Sequence, residues 1–336
     1  MRLGRHRAAR HRRRLASAVA LCVVSALSGG LVIGRAVGQR LDAVGPVPEV
    51  AGVLTPLDPA STVENFLLVG SDSREGADPG SEDFGGIGGA DQTTGRRSDT
   101  IMVMRRDRTS GEVALLSLPR DLWVEIPGTG ARNRINSAYS DGADVLVRTV
   151  QESLGMPVHH YLEVDFSGFK RLVDAIGGVR LCFPVPSRDT HTGLFIADPG
   201  CPLLDGVQAL QYARSRYFEQ WNGQDWEVDG TADIGRTKRQ QHFVEEALRQ
   251  TVSALAANPY RVGRVLDASV VSLRVDPALD LTATARSLRP VASSGLHTFS
   301  LPVEPKTIGG KAVLGLVPSQ ALPLIAYFQG NGPAPA

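Results

Sequence analysis

The chain has 336 residues, of which 42% are hydrophobic and 21% charged, and its formal net charge is +1. That length and apolar share suffice for a large core, built as two domains or as one enlarged α/β domain. A near-neutral balance gives no global argument for a nucleic-acid partner.

The first fourteen residues, MRLGRHRAARHRRR, are strongly basic, and residues 15–37 are then almost free of charge, interrupted only by Arg35. A basic run abutting an apolar one follows the positive-inside rule. Roughly twenty apolar residues fit a membrane span. The run is longer than a usual signal-peptide core, and no small-residue cleavage site follows it. The expectation is a cytoplasmic tail over 1–14, a single transmembrane helix over 15–37, and everything beyond it outside the cytoplasm. Cys22 falls in the span, which leaves Cys182 and Cys201 as the exported pair. In an oxidising compartment that pair reads as a loop-closing disulfide rather than a metal site, worth about 3 kcal/mol in the chain-entropy description. Residues 38–61 hold Pro46, Pro48, Pro56 and Pro59 and read as a juxtamembrane linker. A globular domain is expected over 62–330, followed by a loose tail over 331–336.

Phe66–Val69 is a short apolar strand ending in GSDSR. Thr100–Met104 and Val113–Leu118 are two more, joined by a turn close enough to make them an antiparallel hairpin. If the first and third strands run parallel, Asp72, Asp99 and Arg120 all fall on one sheet edge, with Arg97 two residues before Asp99. Ligands of open α/β sheets sit at such carboxyl edges. Paired carboxylates beside a diphosphate are a common way to hold Mg²⁺, while either aspartate alone also reads as a turn or cap residue. Residues 73–96 form a long Gly- and Asp-rich connection.

Downstream, a helix is expected over 141–154, a strand over 160–164, a helix over 167–176 and a strand over 179–183. This alternation favours a mixed sheet with helices on both faces. His159 and His160 lack partners at zinc spacing and read as ordinary strand-edge residues. Asp205 with Gln208 is a capping-box pair opening a short helix to Ala213. Asp233 reads as the N-cap of a long helix whose apolar stripe includes Phe243, Val244 and Leu248. Two further strands are expected over 270–275 and 296–301, and a last helix over 319–328. There is no GxSxG, Walker loop or CxxC, so serine-nucleophile and zinc chemistry lack support.

Arg214 and Arg216 follow the short helix, and Arg236 and Gln240 lie one turn apart at the start of the long one. Free N–H groups and the helix dipole favour an anion there. Each arginine alone reads as solvated surface charge. Crowded together they repel unless an anion neutralises them, and a phosphate or diphosphate suits the set.

In the order FLLVGSDSR, RSDTIMV, VALLSLPRDLWVEIPG, RINSAYSDG, HHYLEVDFSGFKRLVDAIGGV, LDGVQALQYARSRY and DIGRTKRQQ, the exported part resembles the LytR-CpsA-Psr family over nearly its whole length. The resemblance implies a three-layer α/β/α fold. It also implies an extracytoplasmic phosphotransferase that moves a glycopolymer from a polyprenyl-diphosphate carrier to peptidoglycan and releases polyprenyl phosphate. On the matching motifs, Asp72 and Asp99 would hold Mg²⁺, with Mn²⁺ as a substitute. Arg97, Arg120, Arg214, Arg216, Arg236 and Gln240 would grip the diphosphate. Asp121, beside Arg120, would either accept a proton or orient that arginine. The connection between Asp72 and Arg97 is longer than the family pattern, as is YFEQWNGQDWEVDGTA, whose Trp221 and Trp226 would stack on sugars or pin the loop by packing. A rival from another class is a tethered, non-catalytic polyprenyl-diphosphate binder or envelope regulator, which needs the arginines but not the carboxylate pair. A nucleic-acid role rests only on the N-terminal arginines, which the membrane span explains.

Overall fold

Strands built on the apolar runs FLLV, IMVM and VALLSL assemble with four shorter ones into a seven-stranded sheet in the computed structural model, which describes residues 43–73, 98–257 and 262–335. The tail 1–14, the expected span 15–37 and Arg97 lie outside the described residues. Among the described residues no helix is long and apolar enough to cross a membrane. The strands are β1 (Gly45–Pro46), β2 (Val63–Ser71), β3 (Ser98–Asp107), β4 (Val113–Leu118), β5 (His160–Val164), β6 (Leu273–Val275) and β7 (His297–Ser300). Their spatial order is β1-β6-β5-β2-β3-β4-β7. β2 and β4 both pair antiparallel with β3 and so run the same way, while β5 and β7 join them in parallel. β6 runs antiparallel to β5. The carboxyl ends of β2, β4 and β5 therefore share one edge with the start of β3.

The helices that form the layers and the site are α1 (Ile135–Asp141), α2 (Ala143–Leu154), α3 (Phe166–Ile176), α4 (Gly206–Arg214), α5 (Ala232–Ala257), α6 (Val262–Ser272) and α7 (Pro318–Gln329). Alternation along the strands sends Leu67, Val69, Val103 and Leu116 to one face, against Ala138, Leu146, Val150 and Phe328 of α1, α2 and α7. Phe66, Met102, Met104 and Leu115 face the other way, toward Val244 and Leu248 of α5. A third cluster joins Val173 of α3, Ala209 and Tyr212 of α4 and Phe243 of α5 to Phe183 and Leu194. Helices on both faces of a mixed sheet make the expected α/β/α layering. α4 lies so close to α3 that a Cβ on Gly206 would stand 2.4 Å from the Lys170 carbonyl oxygen.

Several boundaries differ from the sequence reading. The proline-rich 38–61 stretch is not all linker: the compact unit begins at Val44, with Val47 and Val50 fully buried and Thr55 N–H donating to the Val158 carbonyl at 2.8 Å. The expected 141–154 helix is two helices broken at Gly142, whose φ of 147° only glycine adopts readily. Of the strand expected over 270–275, Val270–Ser272 end helix α6 and Leu273–Val275 form β6. The strand expected over 179–183 shrinks to Val179–Arg180, paired with Leu203–Leu204. Just beyond it the Cys182 and Cys201 sulfurs are joined in a disulfide, as expected.

His160 is more than a strand-edge residue. Its Nε2 lies 3.2 Å from Glu64 Oε1 and its Nδ1 3.3 Å from Asp276 Oδ2, and Glu64 also pairs with Arg106. Burial alone would depress the imidazole, but hydrogen bonds to Asp276 and Glu64 raise it to about 9. Its neighbour His159 is pushed the other way by burial and by the His160 charge, and its Nδ1 accepts from Asn65 N–H at 2.9 Å. A raised folded pKa stabilises fully below the unfolded value near 6.5 and ceases to do so as pH climbs through 9. His160→Gln should therefore cost about 2 kcal/mol at pH 6, and the gap from wild type should narrow by pH 10 in urea unfolding. A gap that does not change with pH would contradict this.

Candidate functional site

The site forms where the β2–β3–β4 meander ends. Gly70 pairs with Thr100 but Ser71 pairs with Ser98, so Asp99 is the extra residue of a bulge. Bulges re-aim side chains, and here the Asp99 carboxylate meets Arg120, two residues past the end of β4. Arg120 Nη1 donates to Asp99 Oδ1 at 2.8 Å. The same guanidinium lies 3.6 Å from Asp121 through Nε and 3.8 Å from Asp233 through Nη2.

Asp233 stands in the first turn of α5, one residue inside the helix rather than at its cap. The carbonyl of Thr231 accepts the first helical N–H, from Ile234 at 2.9 Å. From there Asp233 Oδ1 reaches Arg216 Nε at 3.0 Å and Arg236 Nη2 at 3.2 Å. Three arginines, from the turn after β4, the α4–α5 connection and α5, thus crowd around Asp99 and Asp233. Gln240, one turn beyond Arg236, donates to the Ala213 carbonyl at 3.1 Å and ties α5 to the end of α4. There the Arg214 guanidinium lies 4.7 Å from the Phe166 ring centroid. The capping box of Asp205 and Gln208 opens α4 as expected and fixes where that end falls.

Charge balance in this cluster favours anions. Burial would raise the Asp99 carboxyl, yet Arg236, Arg120 and Arg216 together hold it below the ordinary carboxylate range. Burial, together with Arg216 and Arg120, pushes the Arg236 guanidinium down to about 10, so it stays cationic at neutral pH. Its Nε is buried without a hydrogen-bond partner.

Asp99, Arg120, Arg214, Arg216, Arg236 and Gln240 line one cavity of about 540 Å³, with Asp72 just past the end of β2 beside them, while Asp121 and Asp233 are not among its lining residues. Asp121 is clasped between Arg120 and Arg134, the latter at 3.3 Å, which suits it to orient Arg120. The rest of the lining is largely apolar: Leu68, Met102 and Leu162 from the sheet, Phe166, Phe169, Leu210 and Phe243 from the helices. One cavity therefore joins a charged cluster to a hydrocarbon-like wall. Asp72 and Asp99 offer only oxygen ligands, a donor set that suits a hard divalent cation completed by phosphate oxygens. Among the described residues no group of three metal-ligating side chains occurs.

Two site-building residues carried no usable sequence signal. Asp189, fully buried, accepts from Ser215 Oγ at 2.6 Å and from the N–H groups of Arg216 and Tyr217 at 3.1 and 3.0 Å. Its other oxygen takes the His191 and Thr192 N–H groups. Burial would raise this carboxyl, but the Ser215 hydroxyl and those backbone donors hold it low. Arg239 clamps the same turn from α5, donating to the Ser215 carbonyl at 2.7 Å and to Asp229 at 2.5 Å. Only the repeated basic residues of GRTKRQQ hinted at it.

Fold and site together define a class: an α/β/α protein that gathers arginines and carboxylates over an apolar cavity, suited to an amphipathic phosphate ester. Residues 53–323 match the LytR_cpsA_psr family, and the chain belongs to that family. It is 36% identical over 245 residues to the probable cell wall biosynthesis protein LcpB of Corynebacterium glutamicum, covering 71% of this chain and 54% of that one. It is 29% identical to the polyisoprenyl-teichoic acid–peptidoglycan teichoic acid transferase TagU of Oceanobacillus iheyensis, over 73% of this chain and 69% of TagU. The chain thus spans about half the length of the first of these curated relatives. Its fold superposes on the LytR-Csp2A-Psr enzyme from Actinomyces oris with a TM-score of 0.64 at 21% identity, over 85% of this chain and 96% of the other.

Proposed function

We propose that the protein is a membrane-anchored phosphotransferase. It transfers a glycopolymer from a polyprenyl-diphosphate carrier to peptidoglycan, forming a phosphodiester and releasing polyprenyl phosphate outside the cytoplasm. The observation that carries this reading is the pairing of an arginine cluster with a hydrocarbon-like wall in one cavity. A diphosphate with a prenyl tail has just those two ends. The name of the TagU relative points to the same donor and acceptor chemistry.

In this reading Arg120, Arg216 and Arg236 grip the diphosphate oxygens, with Arg97, Arg214 and Gln240 completing the set. Asp121 holds Arg120 in position. A hydroxyl of the acceptor glycan attacks the sugar-side phosphorus roughly in line with the departing polyprenyl phosphate. The P–O bond to that phosphate breaks as the new P–O bond forms, and the hydroxyl proton is lost to solvent. The guanidinium groups stabilise the charge that grows on the leaving phosphate. Asp72 and Asp99 would hold Mg²⁺, or Mn²⁺ in its place, and that ion when bound would neutralise phosphoryl charge. The basic 1–14 and apolar 15–37 segments support the anchor and its orientation.

Lipid extracted from full-length protein purified without added substrate should contain a polyprenyl phosphate or diphosphate by mass spectrometry. Arg120→Ala protein should carry much less. Equal lipid on both proteins would count against the arginine cluster as the binding element.

A further inference from the structure

The sequence between the two arginine motifs joins two strands that precede them to build a surface that the proposed reaction does not use. Four short strands, Leu194–Ile196, Ser187–Asp189, Glu219–Trp221 and Trp226–Val228, pair in that order into a small sheet. Register puts Phe195, Arg188, Glu219, Trp221, Trp226 and Val228 on one face and Leu194, Ile196 and Asp189 on the other. On the second face Leu194, Ile196 and Asp189 are buried. The first looks outward, with Phe195 61% and Val228 51% exposed.

An outward face of a half-covered sheet is ordinarily polar. This one carries Trp221 edge-on to Trp226 at 5.6 Å, Phe195 at 6.5 Å from Trp226, and the Arg188 guanidinium 4.2 Å above Trp226. Arg188 is held there by an ion pair with Glu219. Flat rings flanked by a fixed cation and a carboxylate match a sugar, whose C–H face stacks on aromatics while its hydroxyls take charged partners. The sheet also borders the cavity from its other face. Asp189 holds the backbone of Arg216 and Tyr217, and Tyr217, stacked at 4.1 Å on His191, lines the cavity with it.

Charge selects which glycan it fits. From Tyr217 to Ala232 the chain carries Glu219, Asp225, Glu227 and Asp229 and no Lys or Arg. Arg188 and Arg239 pair with Glu219 and Asp229, so Asp225 and Glu227 leave the segment with an excess of negative charge that disfavours a phosphate-rich polymer. We propose that Trp226, with Phe195 and Arg188, is a docking platform for the acceptor, an unphosphorylated glycan strand, which it feeds toward the arginine cluster. This rests on the transferase reading above.

The probe is a soluble β-1,4-linked N-acetylglucosamine hexamer, titrated into the full-length protein in detergent by tryptophan fluorescence and calorimetry. Wild type should bind it saturably. Trp226→Ala and the surface change Phe195→Ala should each weaken binding about tenfold, and Trp226→Phe should keep most of it. A polyprenyl-diphosphate analogue titrated into the same samples should bind all of them alike. Wild type that ignores the hexamer, or variants that bind it as wild type does, would overturn the platform and leave the transferase reading standing. A phosphate-rich polymer that binds more tightly than the hexamer, and loses that binding with Trp226, would overturn it in favour of the donor. Failure of wild type to bind the lipid analogue would instead strike the transferase reading.

Discussion

Arg120→Ala should weaken binding of a polyprenyl-diphosphate analogue and slow its turnover together, turnover by about a hundredfold or more. Arg120 is the hub of the cluster, in contact with Asp99, Asp121 and Asp233 at once. Charge-assisted contacts from a guanidinium fork to phosphate are strong whether or not a metal is present. Its loss also leaves the Asp99 and Asp233 carboxylates facing the incoming diphosphate without their shared counter-charge. Binding and polyprenyl phosphate release are measured on the same preparation. An unchanged affinity would show that the diphosphate lies elsewhere.

Asp99→Asn should separate those two readouts. The carboxylate is ionised, because Arg236, Arg120 and Arg216 overcome the burial that would raise it. An amide of the same shape removes that charge, so the freed Arg120 should bind the lipid diphosphate as well as before or better. Turnover should fall by about two to three orders of magnitude and lose its response to added Mg²⁺, since charge stabilisation that grows in the transition state acts on rate more than on affinity. The unliganded variant should be less stable by about 1–3 kcal/mol, because buried Arg236 loses a counter-charge. Adding the lipid diphosphate should restore that loss. Turnover kept at wild-type level would remove Asp99 from the chemistry.

The parts of this site that were legible in the sequence are those built from local patterns. The β3–β4 hairpin follows from two apolar runs and a short turn, and the antiparallel pairing of β2 with β3 brings Asp72, Asp99 and Arg120 to one edge. The α4 start follows from a capping box that the structure satisfies on both sides. What stayed hidden depends on contacts distant in sequence. Asp189 organises the Arg216 turn from 27 residues away, and nothing in its neighbours distinguishes it from any loop aspartate. The strands of the aromatic platform are three residues long, too short for a period-2 pattern to register. Val270 and Val271 look like strand residues by composition but sit in α6, whose end packs so closely on α3 that a Cβ on Gly168 would stand 2.6 Å from the Ser272 carbonyl oxygen. There tertiary packing overrides β propensity. Val47 and Val50 were masked by the prolines around them, yet they help close the core beside α2.

The central claim is that this cavity performs transfer and not only binding. The most direct measurement supplies wild-type protein with a glycan linked to polyprenyl diphosphate, an acceptor glycan and Mg²⁺. It follows both released polyprenyl phosphate and phosphodiester-linked acceptor. Transfer predicts that the two products appear in equal amounts, and that both vanish in Asp99→Asn while the donor still binds. Donor that binds tightly but yields neither product, with Asp99→Asn indistinguishable from wild type, would contradict it and leave a tethered lipid-diphosphate binder in its place.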